Sequence, residues 1–286
     1  MPTETLPATK LGNTRVTGKE QYYTPKPLAL ELVTQIEKVL GSLAGKTVLE
    51  PAGGTGAFID AVQAKGVTSV ISFDIEPLHE LVSLGDFLEQ EIKQEHLITV
   101  SNPPFGRNNS LSIPFFNHAA KVSDAICFIV PRSWRKWSVI NRLDLGFELV
   151  LDIDIDIDYV DAAGTPLSSK THLATCFQIW KKADAPRTLV RVTDKGIIEK
   201  VSPELADVSL TIFGYGCGKV KTKFEPVANT TQMFLKLKHP QALAALECVD
   251  FSKFFKNTAY TEALSLQEIN YLLNEEIYGD PMIEGI

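Results

Sequence analysis

The chain has little cysteine. There are four in 286 residues, and Cys127, Cys176, Cys217 and Cys248 lie far apart without any paired spacing. Zinc sites and disulfide frameworks need clustered or regularly spaced thiols, so both are excluded and reduced, mostly buried thiols are expected. No run approaches the roughly 20 apolar residues that cross a bilayer. Met1 to Lys19 is polar and lacks an apolar signal core, so a cytoplasmic or nucleoid location without a membrane partner is expected. Positive charge is in deficit, with 28 Lys and Arg against 35 Asp and Glu for a net charge of -7. Such a chain does not coat polyanions wholesale. Internal repeats and low-complexity tracts are absent too.

Apolar residues are present in quantity. At 44% hydrophobic the chain can build one large core and a smaller one. Thr24 as N-cap and Pro25 in the first turn have the form of a helix start, and Leu28, Leu32, Ile36, Val39 and Leu40 recur at helical spacing until Gly41. The short apolar run Thr47-Val48-Leu49 then leads through a glycine-rich turn to a helical pattern at Phe58, Ile59, Ala61 and Val62. Further strands are expected at 70–73, 98–100, 125–130 and 149–159. Alternating strands and helices predict an α/β fold, a doubly wound and mostly parallel sheet.

In the last of these strands Leu151, Ile153, Ile155, Ile157 and Tyr159 alternate with Asp152, Asp154, Asp156 and Asp158. A straight strand spreads such carboxylates too far apart for calcium, so a half-exposed strand is expected and no metal. The apolar pattern changes near residue 184, which divides the chain into a region 1–183 and a smaller α+β region 184–286. Within the latter, Lys219, Lys221, Lys223, Lys236, Lys238, Lys253 and Lys256 stand against Glu225, Glu247 and Asp250. That local excess suits either a solvated face or a surface for phosphates. Ser265-Leu266-Gln267-Glu268 is a capping-box pattern ahead of Ile269, Leu272, Leu273 and Ile277.

Two loops carry chemistry. Glu50-Pro51-Ala52-Gly53-Gly54-Thr55-Gly56 follows a strand and precedes a helix, the place where such sheets bind ligands. Asp74, one strand further on, can take both ribose hydroxyls of an adenosyl group, and Glu50 is placed to attract a cationic methionine end. Ser101-Asn102-Pro103-Pro104-Phe105-Gly106 follows another strand. An aryl amine is a poor nucleophile because its lone pair is delocalised. Acceptors for its two N–H groups, here the Asn102 side-chain carbonyl and the Pro103 backbone carbonyl, draw the nitrogen toward a tetrahedral, nucleophilic form. Pro103 and Pro104 fix the turn that aims those acceptors, and Phe105 offers a flat face for a flipped base.

Gln21-Tyr22-Tyr23-Thr24-Pro25, the 50–56 loop, Asp74, Gly85-Asp86-Phe87 and Asn102 to Phe105 occur in the order of the amino-methyltransferases of the gamma arrangement. The chain resembles the adenine-N6 DNA methyltransferases of restriction-modification systems over about residues 18 to 182, through Phe128 to Trp134 and Thr175 to Gln178. The resemblance implies a Rossmann-like fold of the class I methyltransferase type, S-adenosylmethionine as cofactor, and direct in-line methylation of adenine N6 in DNA. It also implies site roles. Tyr22, Tyr23, Thr24, Pro25, Glu50, Ala52, Gly53, Gly54 and Gly56 would hold the cofactor, with Asp74 on its ribose and Asp86 and Phe87 on its adenine. Asn102, Pro103, Pro104 and Phe105 would grip the target base, and Phe177 would cover its other face. Outside the span of the resemblance, the local lysine excess makes Lys219, Lys221 and Lys223 the candidate contacts to nucleic acid. Phe105 stands where many DNA enzymes have Tyr, so RNA stays open as the acceptor. N4 of cytosine, a protein glutamine amide, or an inactive nucleic-acid-binding subunit are the other readings.

Overall fold

The structure is a computed structural model that describes residues 22–167 and 173–282. The chain divides into two compact units. The larger takes the described residues through Pro131 together with Ser138–Thr188, and the smaller takes Arg132–Trp137 and the described residues from Leu189 onward. The boundary read near residue 184 carries no such return to 132–137.

The larger unit begins with α1 (Lys26–Leu40), β1 (Thr47–Glu50), α2 (Ala57–Gln63), β2 (Ser69–Asp74), β3 (Ser83–Leu84) and β4 (Leu97–Ser101). It continues with α3 (Ser112–Ala119), β5 (Ser123–Pro131), the short α4 (Trp137–Ile140), whose first residue belongs to the smaller unit, β6 (Phe147–Ile155) and β7 (Thr175–Lys182). Its seven strands form one sheet in the order β3-β2-β1-β4-β5-β7-β6. The pairs from β3 to β5 are parallel, while β7 runs antiparallel to both β5 and β6. The order reverses between β1 and β4, so the loops after these two strands border the crevice where open α/β sheets take ligands.

α1 starts one residue later than expected, with Pro25 as N-cap and no side-chain cap, and it stops at Gly41. Its buried residues Ala29, Leu32, Val33 and Ile36 recur at one helical face. They pack with Val48, Phe58, Val62, Ile98, Val100, Cys127, Ile129, Phe177 and Ile179 into the core on one side of the sheet. On the other side Phe116 meets Phe128, Phe147 and Trp180 edge to face. With both faces covered, β4 and β5 are buried and mainly apolar. β6 lies at the sheet edge, half-exposed as expected, and ends at Ile155 rather than near Tyr159. Asp152 accepts from Gln178 Nε2 at 3.0 Å, and the Gln178 carbonyl accepts from Trp180 Nε1 at 3.0 Å.

The smaller unit holds β8 (Ile198–Lys200), β9 (Val208–Thr211), β10 (Val220–Lys221) and β11 (Gln232–Leu237) in the antiparallel order β10-β9-β11-β8. Helices α5 (Ala242–Cys248), α6 (Ser252–Phe255) and α7 (Leu266–Tyr278) follow. The capping box forms as read: Ser265 Oγ accepts from the Glu268 N–H, and the Glu268 side chain accepts from the Ser265 N–H. Glu268 also pairs with Lys136 at 2.9 Å, and Trp137 packs on Phe254 and Tyr271. Among the described residues no helix is long and apolar enough to cross a membrane.

Candidate functional site

A cavity of about 300 Å³ opens in the larger unit, lined by the ends of β1, β2 and β4 and the chain around Tyr22. The sequence signals converge on it: Tyr22, Tyr23, Thr24, Glu50, Ala52, Gly53, Gly54, Asp74, Asp86, Phe87, Asn102, Pro103, Pro104 and Phe105 all line it. Gly56 and Pro25 do not line it, and Gln21 lies outside the described residues.

The segment Tyr22 to Thr24 is held by a bridge of two backbone hydrogen bonds between Tyr23 and Val160, at 3.2 and 3.1 Å. The ring of Tyr22 packs against Tyr159 with centroids 5.4 Å apart. This fixes the Tyr22 carbonyl, which accepts from Asn102 Nδ2 at 3.2 Å. A carbonyl only accepts, so the amide nitrogen of Asn102 must face it. Asn102 Oδ1, and likewise the Pro103 carbonyl, has no partner among the described residues. Two acceptors thus stand ready at one wall of the cavity. Phe105, half-buried, packs its inner side on the core, and its carbonyl takes the N–H groups of Leu111 and Ser112 at 3.2 and 3.3 Å. Gly106 makes that return possible at φ 66°, where a Cβ would come within 2.9 Å of the Leu111 nitrogen.

Glu50 joins the two loops. Its Oε1 accepts from Ser101 Oγ at 2.5 Å and from the Ala52 N–H at 3.1 Å, and its carbonyl accepts from Ser72 Oγ at 2.9 Å. The side chain is fully enclosed, and burial pushes its carboxyl up to about 8, against the opposing hydrogen bonds from Ser101 and Ala52 and with the charge of Asp74 adding to the rise. A group in that state is neutral at pH 7, so Glu50 serves first as a tie between the loops, and its attraction for a cation depends on losing that proton. Sequence reading missed Ser101, whose hydroxyl makes the tie; its place directly before Asn102 was the available signal.

Asp74 ends β2 at the cavity. Its Oδ2 accepts from the Gly54 N–H and its Oδ1 from the Glu76 N–H, both at 2.8 Å, which leaves further lone pairs on each oxygen. Burial raises its carboxyl, with those backbone bonds opposing. Burial and then the charges of Asp74 and Glu76 raise the Tyr23 hydroxyl as well, a mark of the negative field at this end of the cavity. Gly56 has φ 79°, and a Cβ there would lie 2.3 Å from the His79 ring, so the turn into α2 admits no side chain.

Two expectations change. Asp86 spends one oxygen as the cap of a 3-10 turn, accepting from the Leu88 N–H at 2.9 Å, and Phe87 is only 1% exposed, packed against Phe115 and His118. Its ring is therefore floor rather than a stacking face. Phe177 cannot cover a base at all: it is 0% exposed, on a strand flanked by β5 and β6 with both faces covered, in the core beside Ile129. The aromatic wall comes instead from Phe58, Phe105 and Phe115, with Ile75, Leu88 and Leu111 completing it. Arg107, exposed and without an ion-pair partner among the described residues, stands just past Gly106 and also escaped the sequence reading. Among the described residues no group of three His, Cys, Asp or Glu side chains is arranged for a metal ion.

The strand order, the single reversed strand and a ligand cavity at the switch point define a Rossmann-like fold of the class I methyltransferase type. Solved structures that it resembles include a candidate RNA methyltransferase from Pyrococcus horikoshii, 23% identical over 60% of this chain and 91% of that one, with a TM-score of 0.48. A protein from Thermoplasma acidophilum is 18% identical over 55% of this chain and 89% of that one, TM-score 0.43. The M protein of the type I restriction enzyme EcoKI is 16% identical over 57% of this chain and 44% of that one, TM-score 0.43. No protein-family model and no curated protein sequence matches the chain.

Proposed function

We propose that the chain is an S-adenosylmethionine-dependent methyltransferase acting on an exocyclic amino group, N6 of adenine in nucleic acid, with DNA preferred to RNA. The observation that carries this reading is the pair of open acceptors, Asn102 Oδ1 and the Pro103 carbonyl, beside the half-exposed ring of Phe105. A planar amine with two N–H groups is the ligand such a pair satisfies.

The cavity also fits the cofactor. It has carboxylates at Asp74 and Glu76, apolar walls at Ile75, Leu88 and Phe115, and a backbone rim at Ala52 to Gly54; its size is at the lower end for small-molecule sites. Asp74 would hold the ribose hydroxyls, Asp86 the adenine end, and the negative field that raises Tyr23 suits a cationic ligand. When bound, S-adenosylmethionine supplies a sulfonium methyl as electrophile, so no covalent link between substrate and enzyme is required. Asn102 Oδ1 and the Pro103 carbonyl would accept hydrogen bonds from the two amine N–H groups, one proton leaving to solvent after methyl transfer, while the aromatic wall shields the base and the Glu50 tie keeps the two loops in register. Holding both reactants in place can lower the barrier by roughly 7 to 11 kcal/mol.

On this reading residues 1–183 form the catalytic domain and 184–286 an accessory region, with Lys219, Lys221 and Lys223 as phosphate contacts. The test is to incubate the full chain with tritiated S-adenosylmethionine and separate DNA, RNA and protein acceptors, then digest to nucleosides. Label in N6-methyldeoxyadenosine is expected. Label in N4-methylcytosine or in protein instead, or in no acceptor, overturns it.

A further inference from the structure

The smaller unit carries a feature that its lysines alone do not explain. Between β9 and β10 the chain makes a compact loop, Phe213 to Gly218, closed by Cys217 N–H to Gly214 O at 3.0 Å, Lys219 N–H to Gly216 O at 3.0 Å and Gly218 N–H to Thr211 O at 2.8 Å. Gly214, Gly216 and Gly218 all have positive φ, at 79°, 80° and 89°. A second anchor, Gly214 N–H to Glu262 O at 2.9 Å, ties it to the chain at 258–263. Cys217 turns inward to the core of this unit. The ring of Tyr215 is left fully exposed and Phe213 is 47% exposed, with Tyr260 at 61% on the neighbouring segment.

Aromatic rings held in water by a built loop are costly unless they meet something. Their surroundings say what. In 211–227 the charged residues are Lys219, Lys221, Lys223 and Glu225; the three lysines have no ion-pair partner among the described residues, whereas Lys236, Lys238 and Lys253 are paired with Asp207, Glu199 and Glu275. Val220 packs on the core and Phe224 stacks on Phe234. Lys219 and Lys223 are exposed, and Lys221, half-buried, lies between them at the end of β10. Exposed rings beside an open row of cations match a polyanion with accessible ring faces. A duplex offers the phosphates but keeps its base faces stacked; an unpaired strand offers both.

Resting on the nucleic-acid reading above, we infer that the Phe213–Gly218 loop and the edge of β10 form a docking surface for a single-stranded stretch of nucleic acid, with Tyr215 stacking on a base and Lys219, Lys221 and Lys223 on phosphates.

The test measures binding of the full chain to fluorescein-labelled oligothymidylate and to the duplex of the same length, by anisotropy over a salt series. The single strand should bind more tightly than the duplex. Tyr215→Ala should weaken single-strand binding by roughly 5- to 100-fold at unchanged salt slope, and Tyr215→Phe should restore it. Changing all three lysines to Ala should flatten the log-log slope by up to about two units, at about 0.7 per contact. Equal affinity for duplex and single strand, or wild-type binding by Tyr215→Ala, overturns the inference. So does loss of binding to anionic phospholipid vesicles on Tyr215→Ala with oligonucleotide binding intact, which would assign the loop to a lipid surface. Anisotropy reads binding without cofactor or methyl transfer, so a failed methylation assay counts against the catalytic reading and leaves this one standing.

Discussion

Asn102 is a side chain whose donor is spent and whose acceptor is open, and that asymmetry sets what its removal should do. Asn102→Ala should leave cofactor affinity within about twofold and cut the methylation rate by about two to three orders of magnitude, the scale of losing one preorganised transition-state contact. Near wild-type turnover would mean that the loop has no chemical role. Asp74→Ala should weaken S-adenosylmethionine binding, measured by calorimetry, by about 1.5 to 3 kcal/mol, the worth of charged hydrogen bonds; Asp74→Asn, keeping an acceptor for the Gly54 N–H, should lose less. Glu50 makes stability depend on pH. Its folded value near 8 lies above the ordinary 4.5, so between those limits the native state holds a proton that the unfolded chain has given up. The native state therefore loses stability as pH rises from about 4.5 to about 8. In urea titrations across that range the wild-type midpoint should fall more steeply than that of Glu50→Gln, and parallel profiles would refute the assignment.

At the scale of elements, what was legible in the sequence was whatever one periodicity determined. β1, β4 and β5 are mainly apolar because both their faces are covered, and α7 announces itself by its cap and its Ile269, Leu272, Leu273 face. Ser265→Ala should cost about 1 kcal/mol in unfolding free energy, and a change under about 0.3 would show that Glu268 holds the turn through Lys136 alone. β6 was read too long because the Asp alternation runs on past Ile155, whereas a strand ends where its pairing ends, and its last pair is Ile155 with Thr175. β3, two exposed residues long, has no pattern to read. The cavity residues were legible as loops in chain order. What covers Phe177 was not, because periodicity assigns a face to a side chain without saying what lies against that face.

For the whole molecule, the net charge of -7 and the open lysines of one sheet edge belong together: an acidic protein can bind a polyanion if its cations are gathered and left unpaired. The division of the chain is less simple than its composition suggests, because Arg132–Trp137 belongs to the smaller unit. A fragment 189–286 lacks Lys136, leaving the buried Glu268 without its cation, and lacks the Trp137 ring that packs on Phe254 and Tyr271. Breaking a buried pair costs about 3 to 5 kcal/mol, a large share of what a domain this small has to spare. By circular dichroism and thermal melting the fragment should show no cooperative transition, and a sharp melt would prove it self-sufficient. The same arrangement imposes an order in time. During synthesis Trp137 leaves the ribosome long before Phe254 and Tyr271, so the nascent chain carries an indole without its packing partners until translation is nearly over, an interval in which it should depend on chaperones to stay soluble.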